Sequence, residues 1–183
     1  MANARMEPLP VEDMDAETLE VVERAGFGGK PLNIFATLAH HPKLLKRWLV
    51  FGSHVLTKST LDARERELLI LRTGWRCGSA YEWAQHVAIG RAAGVTDDDV
   101  ARLTEVPASS AWPARDALLV RCADELFDDR TLSDDTYSEL TAHYSDEQVL
   151  DILFAVGQYQ LVSTVLRSLG VQRDDNVTDA PMP

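Results

Sequence analysis

The sequence predicts an all-α protein folded as a single-domain helical bundle. Its apolar residues recur at helical spacing, no stretch shows the alternation typical of a strand, and helix-capping residues stand at the segment ends. The chain has 183 residues, of which 45% are hydrophobic. That length supports one domain with a real core and is short for two. We therefore expect one bundle of roughly seven to nine helices without an internal repeat.

The first part of the chain predicts three helices. Residues 15–24 form a short acidic helix that ends at the glycine-rich stretch 26–29. Pro31 suits a first helical position, and the helix that it opens is expected to stop at Pro42. Residues 43–56 carry apolar side chains at helical spacing. The glycine-rich stretch lacks the preceding strand and following Lys-Ser/Thr of a phosphate loop, so it predicts a flexible turn or a lid-like hinge.

The middle of the chain predicts three more helices. Residues 59–75 begin with cap-type residues and become apolar all round at 68–71, which is typical of a buried helix. The next helix starts near Ser79, and Gly94 suits its C-terminal cap. Thr96 is an N-cap residue followed by aspartates, which favour a helix N-terminus electrostatically.

The last part of the chain predicts helices at residues 111–129 and 133–144 and a long one at Asp146–Leu169, which a Ser-x-x-Gln capping box opens. The long helix carries more apolar residues than a solvent-facing helix should. An interface shared between copies would explain this, so we expect an oligomer, although a path through the core of the monomer would also explain it. Residues 1–30 are predicted to be an N-terminal arm with a short helix, 31–170 the helical domain, and 171–183 a mobile tail with little to bury.

Composition argues against several classes of function. The net charge of −11 repels phosphate backbones, so we expect no nucleic-acid partner. No stretch approaches the roughly 20 apolar residues of a membrane span, and the N-terminus has no apolar signal segment. We therefore expect a cytoplasmic protein without a membrane partner. Cys77 and Cys122 form no Cys-x-x-Cys, and no His, Asp or Glu group has metal-ligand spacing, so neither a metal nor another cofactor is expected.

One chemical constellation stands out in the middle of the chain. Ser79, Glu82 and His86 lie at positions i, i+3 and i+7 of a helix and share one narrow sector, whereas Cys77 points away from it. Glu67 lies on an apolar stripe of the preceding helix, where a carboxylate is costly unless it is partnered. The link between the two helices is short, so Glu67 can face His86. Two carboxylates and an imidazole in one low-dielectric pocket are equipped for general acid–base chemistry.

Some of these residues also have simpler explanations. Ser79 and Glu82 match the Ser-x-x-Glu pattern of a capping box, which would occupy the carboxylate of Glu82. Tyr81 and Trp83 can be core aromatic residues unless a pocket opens beside them. His86 taken alone would suit a satisfied core histidine, and its expected role depends on Glu67.

The segment "RERELLILRTGWRCGSAYEWAQHVAIGRAAGV", residues 64–95, resembles the carboxymuconolactone decarboxylase family, which includes the alkyl hydroperoxidase D-like proteins. The resemblance extends from about residue 31 to residue 170. The glutamate and histidine of that family fall on Glu67 and His86. The two cysteines of its redox members fall on Ser79 and Glu82, so this chain lacks the thiol pair that the peroxidase mechanism needs.

The decarboxylase branch of the family resembles this pattern better. It implies an alkyl hydroperoxidase D-like helical homo-oligomer, a trimer or hexamer, and cofactor-free loss of CO2 from a small carboxylated lactone in aromatic catabolism. On this resemblance His86 donates or accepts the proton, while Glu67 and Glu82 orient the imidazole and relay protons. Residues expected to bind the substrate are Ser79, Tyr81, Trp83, Arg72 and Arg76, the arginines as partners of its carboxylate. The alternatives are a peroxidase of the alkyl hydroperoxidase D type and a non-catalytic helical oligomer that binds a small molecule.

Overall fold

The computed structural model describes residues 4–26, 31–106, 108 and 110–175. Within these ranges the secondary structure consists of nine α-helices and a 3-10 turn at Val11–Asp13, and no strand occurs. The helices are α1 (Ala16–Ala25), α2 (Asn33–Leu38), α3 (Pro42–Thr57), α4 (Ala63–Arg76), α5 (Ala80–Ala92), α6 (Asp97–Arg102), α7 (Ala114–Asp128), α8 (Asp134–His143) and α9 (Asp146–Leu169). The prediction of an all-α bundle is confirmed.

Helix α4 is the central element of the bundle and packs against α5, α7 and α9. Its run Leu68, Leu69, Ile70 and Leu71 is fully buried, as a helix that is apolar all round requires. The four side chains point in different directions around α4 and enter different parts of the core. The core therefore surrounds α4, and a polar residue on this helix needs a partner in another element.

The turn between α4 and α5 brings these two helices close together. Gly78 has φ +65°, a left-handed conformation that glycine adopts without a steric penalty, and the link from Cys77 to Ser79 is correspondingly short. One turn earlier, a Cβ atom placed on Gly74 would lie 3.4 Å from the Cβ of Glu82. Helices α4 and α5 are therefore in contact at the level of Gly74 and Glu82, and this contact positions the candidate site.

The caps of several helices follow the sequence. The capping box of α9 is present, since Ser145 accepts from the backbone of Gln148 and the Gln148 side chain accepts from the backbone of Ser145. The expectation for Pro31 is wrong, because Leu32 is the N-cap of α2 and the helix begins at Asn33. Helix α2 already ends at Leu38, so the predicted stop at Pro42 is also wrong. Pro42 is instead the first residue of α3, where its fixed φ and missing N–H cost nothing.

Helix α9 runs through the core of the monomer and also exposes apolar side chains. By length and composition it could cross a membrane, but half of the relevant window is buried inside the bundle, as in the core helix of a soluble protein. Ile152 and Val156 lie fully in the core. On another face, Phe154 and Leu161 remain 54% and 53% exposed. The helix therefore crosses the monomer core and also leaves an apolar strip uncovered.

Both ends of the described chain lie against the bundle. The backbone N–H groups of Arg5 and Met6 donate to the carbonyl of Leu169. After α9, residues 171–175 run back toward the start of α2, where Asp174 accepts a hydrogen bond from the backbone N–H of Asn33. Residues 27–29 of the glycine-rich stretch and 176–183 of the predicted tail lie outside the described residues.

Candidate functional site

A cavity of about 320 Å³ lies between helices α1, α2, α3, α5 and α9. Most of its lining is aliphatic or aromatic, with a few polar groups on α5 and α9. Its polar and aromatic lining includes Trp48, Tyr81, Glu82, Gln85, His86, Gln158 and Tyr159. A mostly apolar cavity with a few convergent polar groups is the usual form of a small-molecule site.

The structure brings Glu67, Glu82 and His86 together at this cavity. His86 Nδ1 lies 2.8 Å from Oε2 of Glu67, and His86 Nε2 lies 3.4 Å from Oε2 of Glu82. All three are buried, with exposed fractions of 0% for Glu67, 4% for Glu82 and 6% for His86. Glu82 and His86 line the cavity, whereas Glu67 holds the imidazole from behind on α4.

The environment favours a shared proton between Glu82 and His86. Burial raises the pKa of Glu82, the charge of His86 lowers it and the charge of Glu67 raises it, and the combined result is a pKa of about 7. Burial lowers the pKa of His86, but the charge and hydrogen bond of Glu67 and the charge of Glu82 outweigh it, so the pKa rises from its ordinary value. The cluster can therefore give up or take a proton near neutral pH.

Arg66 adds a cation at the back of this cluster. Its Nη2 lies 3.3 Å from Oε1 of Glu67, the oxygen that does not contact His86. The guanidinium thus places an opposite charge beside the Glu67 carboxylate. Because a charged Glu67 accepts from the imidazole, the Nδ1 atom carries the hydrogen and the Nε2 atom is the one directed to Glu82 and the cavity.

Two further cavity residues come from α9 and were not predicted from the sequence. The ring of Tyr159 packs edge-on against His86, with centroids 4.8 Å apart, and burial raises the pKa of its hydroxyl well above the ordinary value. Oε1 of Gln158 is buried and has no hydrogen-bond partner among the described residues. An unpartnered acceptor beside a cavity can receive a donor from a ligand. The sequence feature that could have identified these two cavity residues is that polar groups occur here in a largely apolar stretch of α9.

The capping-box explanation of Ser79 and Glu82 is wrong. Ser79 is the N-cap of α5, but its hydroxyl makes no capping hydrogen bond and Oγ is buried without a partner among the described residues. Glu82 reaches His86 instead, so its carboxylate is available to the site. Ser79 does not line the cavity, and its predicted contact with a substrate is not supported.

Arg72 and Arg76 do not reach the cavity, which corrects their predicted role as carboxylate partners. Arg72 is 0% exposed, donates to both oxygens of Asp124 at 2.7 and 2.8 Å, and also donates to backbone carbonyls. Arg76 pairs with Asp124 and Asp128. Arg72 lies five positions after Glu67, which is roughly 140° around a helix with 3.6 residues per turn. The two arginines therefore stabilise the contact of α4 with α7.

The two predicted wall residues differ in position. Tyr81 lines the cavity, as predicted. Trp83 is 1% exposed, packs against Trp75 with ring centroids 5.4 Å apart, and belongs to a separate core cluster. Its predicted role in the pocket is wrong, because this side chain packs in a core cluster with Leu68 and Leu71 of α4.

Neither cysteine belongs to the candidate site. Cys77 lines a different cleft, together with Arg76, Arg130 and Arg167, and burial raises the pKa of its thiol. Cys122 is 0% exposed, and burial raises its pKa to about 12. The expectation that Cys77 points away from His86 is confirmed. In the part of the chain that the structure describes, no group of three His, Cys, Asp or Glu side chains is arranged as a metal site.

The comparisons with known proteins agree with the helical arrangement. The model of the carboxymuconolactone decarboxylase family matches residues 42–124, which include Glu67, Glu82 and His86. A search of the curated proteins finds no match.

Solved structures share the fold at low sequence identity. An uncharacterized peroxidase-related protein from Silicibacter sp. TM1040 superposes with a TM-score of 0.83 at 16% identity, over 96% of this chain and 95% of that one. The alkylhydroperoxidase AhpD core of a peroxidase-related protein from Ralstonia eutropha JMP134 gives 0.81 at 19% identity, over 96% and 95%. The debrominase Bmp8 in its apo form gives 0.73 at 17% identity, over 94% of each chain.

Proposed function

Because residues 42–124 match the model of the carboxymuconolactone decarboxylase family and the chain has an AhpD-like fold, we propose that it is a cofactor-independent acid–base lyase of this family. Its substrate is a small carboxylated or lactone-type molecule, and its reaction is a decarboxylation or a related proton transfer. The observation that carries this proposal is the buried imidazole of His86, held between two carboxylates at the wall of a cavity.

The size and lining of the cavity support a small substrate. A volume of about 320 Å³ is at the lower end of the range of ligand sites. Apolar walls from α2 and α3 suit the carbon skeleton of a lactone and weaken the hydration of a carboxylate that is to be lost. The polar groups are concentrated on α5 and α9, so one side of the substrate would meet nearly all of the acid–base chemistry.

The mechanism assigns one role to each member of the cluster. Loss of CO2 breaks a carbon–carbon bond and leaves its electron pair on the remaining carbon, where a lactone carbonyl can delocalise the charge. The Nε2–H of protonated His86 then donates its proton to that carbon. Glu82, whose pKa lies at about 7, returns a proton to His86 from solvent. Overall, a carboxylate and one proton become CO2 and a carbon–hydrogen bond.

Glu67 acts through His86 and does not contact the substrate. Its hydrogen bond to Nδ1 fixes the orientation of the ring and stabilises the positive charge on the imidazolium. Tyr159 limits the rotation of the same ring by packing against it. The imidazole is thus preorganised for proton transfer at Nε2.

A redox function of the AhpD type is the alternative. It would need a thiolate and a resolving thiol, but the positions of the redox pair are Ser79 and Glu82. Cys77 and Cys122 lie outside the cavity and have raised pKa values. We therefore expect no thiol-dependent consumption of peroxide. Peroxide turnover that disappears in a Cys77→Ser variant would favour the redox function instead.

A substrate screen with a matched histidine control tests the proposed lyase. We would incubate the protein with a panel of carboxylated lactones and measure the release of CO2. The His86→Ala variant should lose turnover and retain its helical circular dichroism, while His143→Ala, which changes an exposed histidine of α8, should behave like the wild type. Full activity of His86→Ala on a substrate that the wild type turns over would contradict the proposal.

We also propose that the protein is a homo-oligomer that associates through an apolar strip on α3 and α9. The strip consists of Val50, Phe51, Phe154 and Leu161. Each of these side chains is more than a third exposed, and the rings of Phe51 and Phe154 pack edge-to-face at 5.8 Å. A second copy covering the strip would remove this apolar surface from water. Its neighbour Gln158 lines the cavity, so the interface would lie beside the site.

A further inference from the structure

A carboxylate from the protein's own C-terminal segment occupies a set of hydrogen-bond donors beside the cavity. Oδ2 of Asp174 accepts from the hydroxyl of Tyr81 at 2.5 Å and from Nε2 of Gln85 at 2.8 Å. Its Oδ1 accepts from the backbone N–H of Asn33 at 2.8 Å. Both oxygens of one carboxylate are therefore bound by three donors, none of which is a cation.

These donors lie next to the acid–base cluster. Tyr81 and Gln85 are one turn apart on α5, and each directly precedes a member of the other pair, Glu82 and His86. Side chains of both pairs line the same cavity. A molecule whose carboxylate contacted Tyr81 and Gln85 would thus have its neighbouring atoms beside His86.

The hydroxyl of Tyr81 is oriented as a donor. Its oxygen accepts from the backbone N–H of Ile34 at 3.4 Å, which leaves its hydrogen directed to the carboxylate. Burial is the main cause of a raised pKa of Tyr81, so the hydroxyl keeps this hydrogen. A buried donor of this kind has a strong requirement for an acceptor.

The cavity offers little else that could bind a carboxylate. Arg72 and Arg76 lie elsewhere, as shown above. Among the described residues that line the cavity, Arg24 is the only arginine or lysine, and it is paired with Glu20 while 77% of its side chain is exposed. The donors around Asp174 are therefore the best carboxylate-binding group at this cavity.

The segment that carries Asp174 is attached to the bundle at Val171, whose N–H donates to the carbonyl of Leu166, and at Asn33. Nδ2 of Asn33 donates to the carbonyls of Gln172 and Arg173, at 3.0 and 3.4 Å. Residues 171–175 contain no helix, and Arg173 and Asp175 are exposed. A short irregular segment outside the helices, with half-buried hydrogen bonds, opens at lower cost in free energy than the buried helical core. A ligand can therefore displace Asp174 without disturbing the bundle.

We propose that Tyr81, Gln85 and the N–H of Asn33 form the carboxylate subsite of this cavity, and that Asp174 occupies it until a ligand carboxylate displaces it. This inference rests on the proposed function, because it assigns a carboxylate subsite to the same cavity. Binding at the subsite is nevertheless tested without measuring turnover at His86. The carboxylate held here is one that the substrate retains, because hydrogen bonds that stabilise a carboxylate oppose its loss as CO2.

The test measures the binding of two probes of nearly equal shape, 4-fluorobenzoate and its neutral counterpart 4-fluorobenzamide, by fluorine NMR titration of the full chain. In Asp174→Ala the subsite is vacant, and the affinity for 4-fluorobenzoate should rise about tenfold because no internal competitor remains. The affinity for 4-fluorobenzamide should change by less than about threefold. Asp175→Ala is the matched control, since it removes the same charge from the neighbouring exposed position.

Two additional variants locate the bound carboxylate. Adding Gln85→Met or Tyr81→Phe to Asp174→Ala should remove most of the gain for 4-fluorobenzoate. Equal gains for both probes, an equal gain in Asp175→Ala, or no gain in Asp174→Ala would each overturn the inference. Adding His86→Ala should leave the benzoate gain intact, so a protein without lyase activity can still show the subsite, and an active one can still lack it.

Discussion

Nδ1 of His86 lies 2.8 Å from Oε2 of Glu67, across the contact of α4 and α5 and out of reach of solvent. The two residues are 19 positions apart, and the short turn at Gly78 brings their helices together. This pair fixes which imidazole nitrogen faces the cavity. The acid–base proposal depends on it directly.

Replacing Glu67 by Gln should lower the pKa of His86. The charge and hydrogen bond of Glu67 hold that pKa up against the opposing effect of burial, so their loss leaves burial dominant. Turnover should fall by about 10²-fold, since a neutral imidazole in this orientation is a poor acid. NMR titration of the imidazole measures the pKa. Glu65→Gln, a change on the same helix away from His86, should leave the pKa in place, and an unchanged value in Glu67→Gln would refute the pairing.

Replacing Glu82 by Gln should flatten the pH dependence of stability. The pKa of Glu82 rises from 4.5 to about 7 on folding, so between these values the folded state holds more of this proton than the unfolded state. The contribution of Glu82 to stability is therefore complete below about pH 4.5 and is lost as the pH rises through about 7. Thermal unfolding at pH 5 and pH 8 measures the difference. Glu82→Gln should lose less stability across this interval than the wild type.

The control for that experiment is Glu23→Gln, which changes an exposed carboxylate of α1. It should follow the wild-type curve. If Glu82→Gln follows the same curve, Glu82 does not titrate in the folded protein as the structure indicates.

Replacing Arg72 by Met should lower the free energy of unfolding without a direct effect on ligand binding. The change removes one of the two arginines that pair with Asp124, the other being Arg76, and it removes the donor to two backbone carbonyls at a fully buried position. Breaking a buried pair in this way costs about 3–5 kcal/mol. Urea unfolding measures the loss, and Arg47→Met, on the exposed surface of α3, should cost less than about 0.5 kcal/mol. A selective loss of carboxylate affinity with normal stability would restore the role first predicted for Arg72.

Replacing Phe154 by Glu should dissociate the proposed oligomer. The side chain is 54% exposed and packs on Phe51, so a carboxylate is tolerated in the monomer but not between two apolar surfaces. Sedimentation velocity would show the wild type as a multimer and the variant as a monomer of 20.3 kDa. Tyr137→Glu, which changes a 52% exposed residue of α8, should not alter the assembly. A monomeric wild type would remove the basis for the interface.

The sequence predicts the helices and the Glu67–His86 pair because both depend on local features of the chain. Helical periodicity and caps are local, so Ser145 and Gln148 specify the start of α9 without reference to the rest of the chain. Glu67 and His86 could be paired because both are placed by helices whose link is too short to allow many arrangements. Local geometry thus determined nearly all of the secondary structure and two members of the cluster.

The remaining features depend on which face of a helix is buried and against what. Sequence spacing could not decide whether Glu82 caps α5 or contacts His86, since both arrangements satisfy its carboxylate. It could not place Arg72, whose partner Asp124 is 52 residues away. Nor could it bring Gln158 of α9 or Asp174 of the C-terminal segment to the cavity. The sequence by itself determined the helices and the Glu67–His86 pair, and only tertiary packing decided what surrounds them, because burial and long-range contacts are properties of the assembled bundle.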